Sequence, residues 1–279
     1  MNCEYEAFKM EKETAIIYMV AGISSRFGGK IKQFAKITET QTLIEYSLDQ
    51  ALKAGFNKII FIVGNKTEQP FKEKFGNSYN EIPIQYATQY YDPNIRDKPW
   101  GTCDAICSIK DIVNCPFVVC NGDDIYGENT FQILHNHLQN NDEEATIGYK
   151  LIDVLPETGG VNRGIYETTQ DNYVTNLKET FNIEKSNLQA TNTKPEDLCS
   201  MNIFALHPKT IHLLNTQLEN FKQQHQGDRK AECLLPTEIS KLLQTNQIKM
   251  KIYTATDKWF GITNTCDEEI VKKQLEQNK

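Results

Sequence analysis

Three runs of the chain are apolar almost without interruption, and they narrow the possible folds more than any other feature. Ala15 to Val20 (AIIYMV), Lys58 to Val63 (KIIFIV) and Phe117 to Cys120 (FVVC) show no alternation of polar and apolar residues. Strands of this kind bury both faces, as they do in a parallel sheet covered by helices on each side. The segments between them carry helical periodicity. Leu43, Ile44, Ser47, Leu48, Ala51 and Leu52 recur at three- to four-residue spacing, with Gly55 placed as a C-cap. Ile82, Ile84 and Tyr86 alternate as a further strand, and Pro83 within it suggests a position near an edge. Helices are expected over Thr102 to Asp111 and about Asn129 to Asn140, then a strand from Ala145 to Leu151. The fold expected is therefore α/β, a three-layer sandwich around a mostly parallel mixed sheet.

Beyond residue 150 the pattern changes. Gly159 to Gly164, Tyr173 to Leu177 and Met201 to Leu206 read as shorter strands, and Phe181 to Asp197 reads as an exposed polar connection. Helices near Lys209 to Gln224 and Thr237 to Gln244 precede a strand at Ile248 to Tyr253. A single domain over 1–279 is expected, with halves at about 15–150 and 151–265 and a peripheral helix over 266–279.

Charge and cysteine usage exclude some functions. With 37 acidic against 30 basic side chains, the net charge of −7 argues against general nucleic-acid binding. No segment approaches the run of roughly 20 apolar residues that a membrane span needs. Met1 to Thr14 is charged and lacks the apolar core of a signal peptide. The eight cysteines are scattered singly, with no metal-ligand spacing, and are expected to be reduced, mostly buried and cytoplasmic. The histidines, including His135 and His137, are expected in surface or capping roles, and Trp100 and Trp259 can be read as packing residues.

Two unusual segments follow buried strands. Val20-Ala21-Gly22-Ile23-Ser24-Ser25-Arg26-Phe27-Gly28-Gly29 is rich in glycine and small residues, which let backbone N–H groups hold phosphate oxygens. Arg26 and either Lys30 or Lys32 could neutralise a triphosphate. Ser24 stands where a Walker loop needs its first glycine, and Ser24 and Phe27 break the dinucleotide pattern. The second segment, Asn121-Gly122-Asp123-Asp124, offers carboxylates at a strand end, where ligands of such sheets bind.

VAGISSRFGG followed by Lys32-Gln33 resembles the signature of the nucleotidyltransferase superfamily with a GT-A-like Rossmann core, which includes the sugar-1-phosphate pyrophosphorylases. The resemblance runs in order from about residue 15 to 265. It implies nucleotide contacts from Ala21, Gly22, Ser24, Ser25, Gln89, Gly101 and Thr102, with Gln89 and the Gly101-Thr102 backbone at the base. It implies Arg26, Lys32 (over Lys30) and Asp123 as the catalytic set, with Asp123 binding Mg2+. A second metal ligand would come from Thr263, Asp257 or Asn264. Arg163, Gly164, Glu179 and Asn202 fall where the family contacts the acceptor. Ser24, Phe204 and Thr263 depart from the family pattern.

The activity implied is Mg-dependent transfer of an NMP from an NTP to a sugar 1-phosphate or related acceptor, with pyrophosphate released. UTP or CTP is preferred by resemblance, and the oligomeric state stays open. Two other classes fit the same core: a GT-A glycosyltransferase, for which N-G-D-D lacks the D-x-D spacing, and a nucleotide-binding sensor without activity.

Overall fold

The structure, a computed structural model, describes residues 12–22, 31–261 and 272. In chain order its elements are strand β1 (Ala15–Met19), helix α1 (Leu43–Lys53), β2 (Lys58–Val63), α2 (Glu68–Phe75), β3 (Ser78–Tyr79), β4 (Ile82–Thr88), α3 (Thr102–Cys107), β5 (Phe117–Asn121) and β6 (Asp124–Ile125). They continue as α4 (Glu128–Asn140), β7 (Glu144–Lys150), α5 (Leu151–Val154), β8 (Val161–Thr168), β9 (Val174–Ile183), β10 (Leu198–Leu206), α6 (Pro208–Gln224), α7 (Leu235–Gln244), β11 (Met250–Thr254) and β12 (Phe260–Gly261).

The main sheet runs β11-β7-β10-β5-β1-β2-β4-β3. Strands β4, β2, β1 and β5 are mutually parallel, and antiparallel β10 separates them from the parallel pair β7 and β11. The apolar runs are explained by burial on both faces. Ile16, Tyr18 and Val20 pack with α1 and α4, whereas Ala15 and Ile17 pack with α3, α6 and α7. Ile59, Phe61 and Val63 divide from Ile60 and Ile62 in the same way. A three-layer sandwich results, with no helix among the described residues long and apolar enough to cross a membrane.

Several expectations need correction. Helix α2 was not foreseen, because EQPFKEKF contains a proline and shows only Phe71 and Phe75 as an apolar stripe. The segment read as a polar connection is partly strand. β9 continues to Ile183, its outward residues polar apart from the exposed Phe181, and Leu188–Thr191 forms a 3-10 turn. Helix α3 stops at Cys107, and Leu151 opens α5 instead of closing β7. Pro83 sits one strand in from the edge, facing the two-residue β3. His135 and His137 are buried, not superficial; His137 joins Tyr253 Oη (3.0 Å) to the Glu143 carbonyl (3.0 Å). The six described cysteines are all buried and free.

Helix α1 starts with a side-chain cap: the Thr42 N–H (2.8 Å) and the Thr42 hydroxyl (2.5 Å) both donate to Glu45 Oε2. Burial favours a neutral Glu45 carboxyl, but hydrogen bonds from Lys74 and Thr42 outweigh it and hold its pKa below the usual range.

Candidate active site

The parallel strands β1 and β5 are neighbours, so the segments leaving their carboxyl ends emerge side by side. Gly122 makes the close approach possible: its N–H donates to the Met19 carbonyl at 3.2 Å, and a Cβ there would lie 2.3 Å from Val20 Cγ1. Two cavities open at these strand ends. One, of about 620 Å³, is lined by Ala21, Gly22, Gln89, Gly101 and Thr102 together with Met19, Lys66, Tyr91 and Asn121. The other, of about 610 Å³, is lined by Lys32, Asp123, Asp124, Arg163, Gly164, Glu179, Asn202 and Trp259. Thr102, Asn121 and Leu234 line both.

The residues expected to hold a nucleotide and those expected to hold an acceptor thus fall into separate but adjoining cavities. Ser24, Ser25, Arg26, Lys30, Thr263 and Asn264 lie outside the described residues. Asp257 is committed elsewhere. Its two carboxylate oxygens accept from Asn129 Nδ2 (2.9 Å) and the Thr130 N–H (2.8 Å), capping the first turn of α4.

In the first cavity Gln89 follows β4, and its N–H donates to the Val63 carbonyl at 2.8 Å. Gly101 enters α3 at φ +96°, a left-handed conformation suited to glycine, and a Cβ would meet the Cys233 carbonyl oxygen at 2.5 Å. Only glycine lets the Trp100–Thr102 turn lie against the segment preceding α7. That segment is bound in return: the Leu235 N–H donates to Thr102 Oγ1 at 2.8 Å.

The second cavity is more charged. Lys32 Nζ lies 3.3 Å from Asp123 Oδ2, which brings the expected lysine and the expected metal aspartate into contact. Asp124, which sequence reasoning passed over, points inward beside it. Asn121 Nδ2 (2.9 Å) and Tyr126 Oη (3.2 Å) meet its Oδ2, while Tyr126 Oη also donates to the Met201 carbonyl at 2.8 Å. Burial, and secondarily the charge of Asp123, push the Asp124 carboxyl up to about 7. Arg163 and Gly164 sit on β8, with Gly164 in register with Glu179 on β9. Burial raises the Glu179 carboxyl, and Arg163 opposes it. The Arg163 guanidinium donates to the carbonyls of Asn162 (2.9 Å) and Val154 (3.3 Å) and lies 5.7 Å from the Trp259 ring. Arg163 Nε and Trp259 Nε1 are buried without hydrogen-bond partners among the described residues. Asn202 adopts φ +57° where β10 slips register against β7, which turns this position out of the regular ladder. No signal in the sequence distinguished Trp259 from a packing residue, since its role depends on β12 crossing beside β6.

The profile of the family described as Nucleotidyl transferase matches residues 28–259. The chain belongs to that family. This nucleotidyltransferase is 22% identical over 245 residues to the bifunctional protein GlmU of Staphylococcus carnosus (strain TM300), an overlap of 86% of the chain and 47% of that protein. The chain therefore spans about half the length of that curated relative. Among solved structures, a UDP-glucose pyrophosphorylase complexed with UDP-glucose superposes with a TM-score of 0.67 at 15% identity, covering 96% of this chain and 100% of the other. The inositol-1-phosphate CTP transferase from T. maritima superposes with a TM-score of 0.65 at 13% identity, covering 94% and 96%. At such identities the likeness establishes the fold, and the nucleotidyltransferase shares it along nearly its whole length.

Proposed function

We propose that this nucleotidyltransferase moves an NMP from an NTP onto a sugar 1-phosphate, or a related phosphorylated small molecule, and releases pyrophosphate. The observation that carries the reading is the pair of adjoining cavities with a shared wall, the second bearing a lysine–aspartate contact beside that wall. Ala21, Gly22, Gln89, Gly101 and Thr102 would hold the nucleoside, while Ser24, Ser25 and Arg26 are assigned to the triphosphate on the sequence alone. Arg163, Gly164, Glu179 and Asn202 would hold the acceptor. An acceptor phosphate oxygen attacks the α-phosphorus, and the new P–O bond forms as the bond to the β-phosphate oxygen breaks. Pyrophosphate leaves with the electron pair.

Two anions must meet in this reaction, so positioning and charge neutralisation are what the protein contributes. Lys32 supplies a positive charge beside Asp123 and needs no proton transfer. The oxygen-only donor set at Asp123, whose side chain is 32% exposed at the strand end, suits Mg2+, which takes one or two carboxylates plus phosphate oxygens. The metal, when bound, supplies further neutralisation of phosphate charge. UTP or CTP is the expected donor, in keeping with the uridine and cytidine nucleotides named for the two structural neighbours. The buried, free thiols accord with a reducing, cytoplasmic setting.

The test is to incubate the purified chain with Mg2+, each NTP and a panel of sugar phosphates, following pyrophosphate by a coupled assay. Release that requires both an NTP and one acceptor supports the reading. No release with any pair contradicts it.

A further inference from the structure

Gln89 is only 6% exposed, and the orientation of its side chain follows from its partners. Nε2 donates to the Gly101 carbonyl at 2.9 Å and to Asp104 Oδ2 at 3.0 Å. Both partners are acceptors only, so a turned-over amide would set Oε1 against two oxygens and lose both bonds. Asp104 is itself held. Its Oδ1 pairs with Lys222 Nζ of α6 at 3.0 Å, and its side chain is 11% exposed. The chain Lys222–Asp104–Gln89 thus ties α6 and α3 to the residue that follows β4. It leaves Oε1, which has no hydrogen-bond partner among the described residues, as the polar atom Gln89 offers to the cavity.

We propose that Asp104, braced by Lys222, is a positioning residue that fixes Gln89 as a hydrogen-bond acceptor and so makes the cavity select uracil or thymine over cytosine. The inference rests on the reading of this cavity as the NTP site. Uracil and thymine carry an N–H at ring position 3, which can donate to a fixed Oε1. Cytosine carries a lone pair at that position, which would face the lone pairs of Oε1. A buried acceptor that is rigid discriminates more sharply than one free to turn over, because the wrong base leaves polar groups unpaired.

The experiment is calorimetric titration of the chain with Mg-UTP, Mg-dTTP, Mg-CTP, Mg-GTP and Mg-ATP, followed by steady-state kinetics with UTP and CTP. The wild type is expected to favour UTP or dTTP over CTP by at least about tenfold. Asp104→Ala is expected to raise KM for UTP about tenfold with kcat within about threefold, and so to collapse the UTP-to-CTP ratio of kcat/KM. Lys222→Met, which leaves the carboxylate but removes its brace, should move that ratio the same way by about two- to threefold. A merely structural role would weaken both nucleotides equally and leave the ratio unmoved. An equal or greater wild-type preference for CTP, ATP or GTP overturns the inference, as does an unchanged ratio in folded Asp104→Ala. Should Asp104→Ala fail to fold, the wild-type preference and Lys222→Met decide. Absence of binding by every NTP would instead overturn the underlying assignment of the cavity, and the inference with it.

Discussion

At the scale of single residues, the charges that face the second cavity decide its chemistry. Asp123 and Lys32 are 3.3 Å apart, so substituting either removes half of a contact that lies beside the wall shared with the first cavity. Asp123→Asn keeps shape and removes charge. It is expected to lower pyrophosphate release by about 10²–10³-fold while leaving the melting temperature within a few degrees. Arg163 belongs to the acceptor side, and Arg163→Met should raise the acceptor KM about tenfold or more with little change in KM for the NTP. Asp123 was singled out in the sequence as a carboxylate after a buried strand, and Lys32 by resemblance to the family signature; the structure brings the two side chains into contact. Asp257 was also a candidate. Its carboxylate instead caps α4, a role that depends on a contact 128 residues away from Asn129 and cannot be read from spacing. Asp124 stood in the same motif as Asp123. Its inward turn is set by Asn121 and Tyr126, and nothing in N-G-D-D says which aspartate is buried.

At the scale of elements, local chemistry and tertiary contact divide the work. The cap of α1 is local. Thr42→Ala should cost about 1 kcal/mol of stability, measured by urea unfolding. Glu45→Gln tests the same cap through pH. The Glu45 carboxyl is held below its usual range in the folded state, so its contribution is present above the unfolded pKa and is lost as the pH falls. The wild type should exceed Glu45→Gln in stability at pH 7, and the gap should close between about pH 5 and 3. The entry to α3 is tertiary. Gly101→Ala meets both an unfavourable φ and the Cys233 carbonyl, and should cost at least about 2 kcal/mol by the same measurement. The strands and helices legible in the sequence were those whose burial repeats regularly, such as β1, β2, β5 and α1. Helix α2 and the far half of β9 were missed because each shows one apolar face too narrow or too polar to produce a period, and packing supplies the rest.

At the scale of the whole molecule, the parallel strands β1 and β5 set Ala21-Gly22 and the aspartate pair at one end of the sheet, and the antiparallel strands bring the second cavity beside them. Antiparallel β10 sits between β5 and β7, and β8 pairs with it in turn. A ligand held by Gln89 after β4 and by the Gly101-Thr102 entry to α3 should stabilise the chain globally. Mg-UTP at about 100 times its Kd is expected to raise the melting temperature by about 5 °C, read by calorimetry. The measurement that bears most directly on the central claim, chemistry at the α-phosphorus, is isotope exchange. Incubated with Mg2+, a nucleotide sugar of the correct acceptor and labelled pyrophosphate, the chain should return label in the NTP, and Asp123→Asn should not. Cleavage of the nucleotide sugar to free NDP with no label entering NTP would place the reaction at the sugar carbon instead, and would contradict the account.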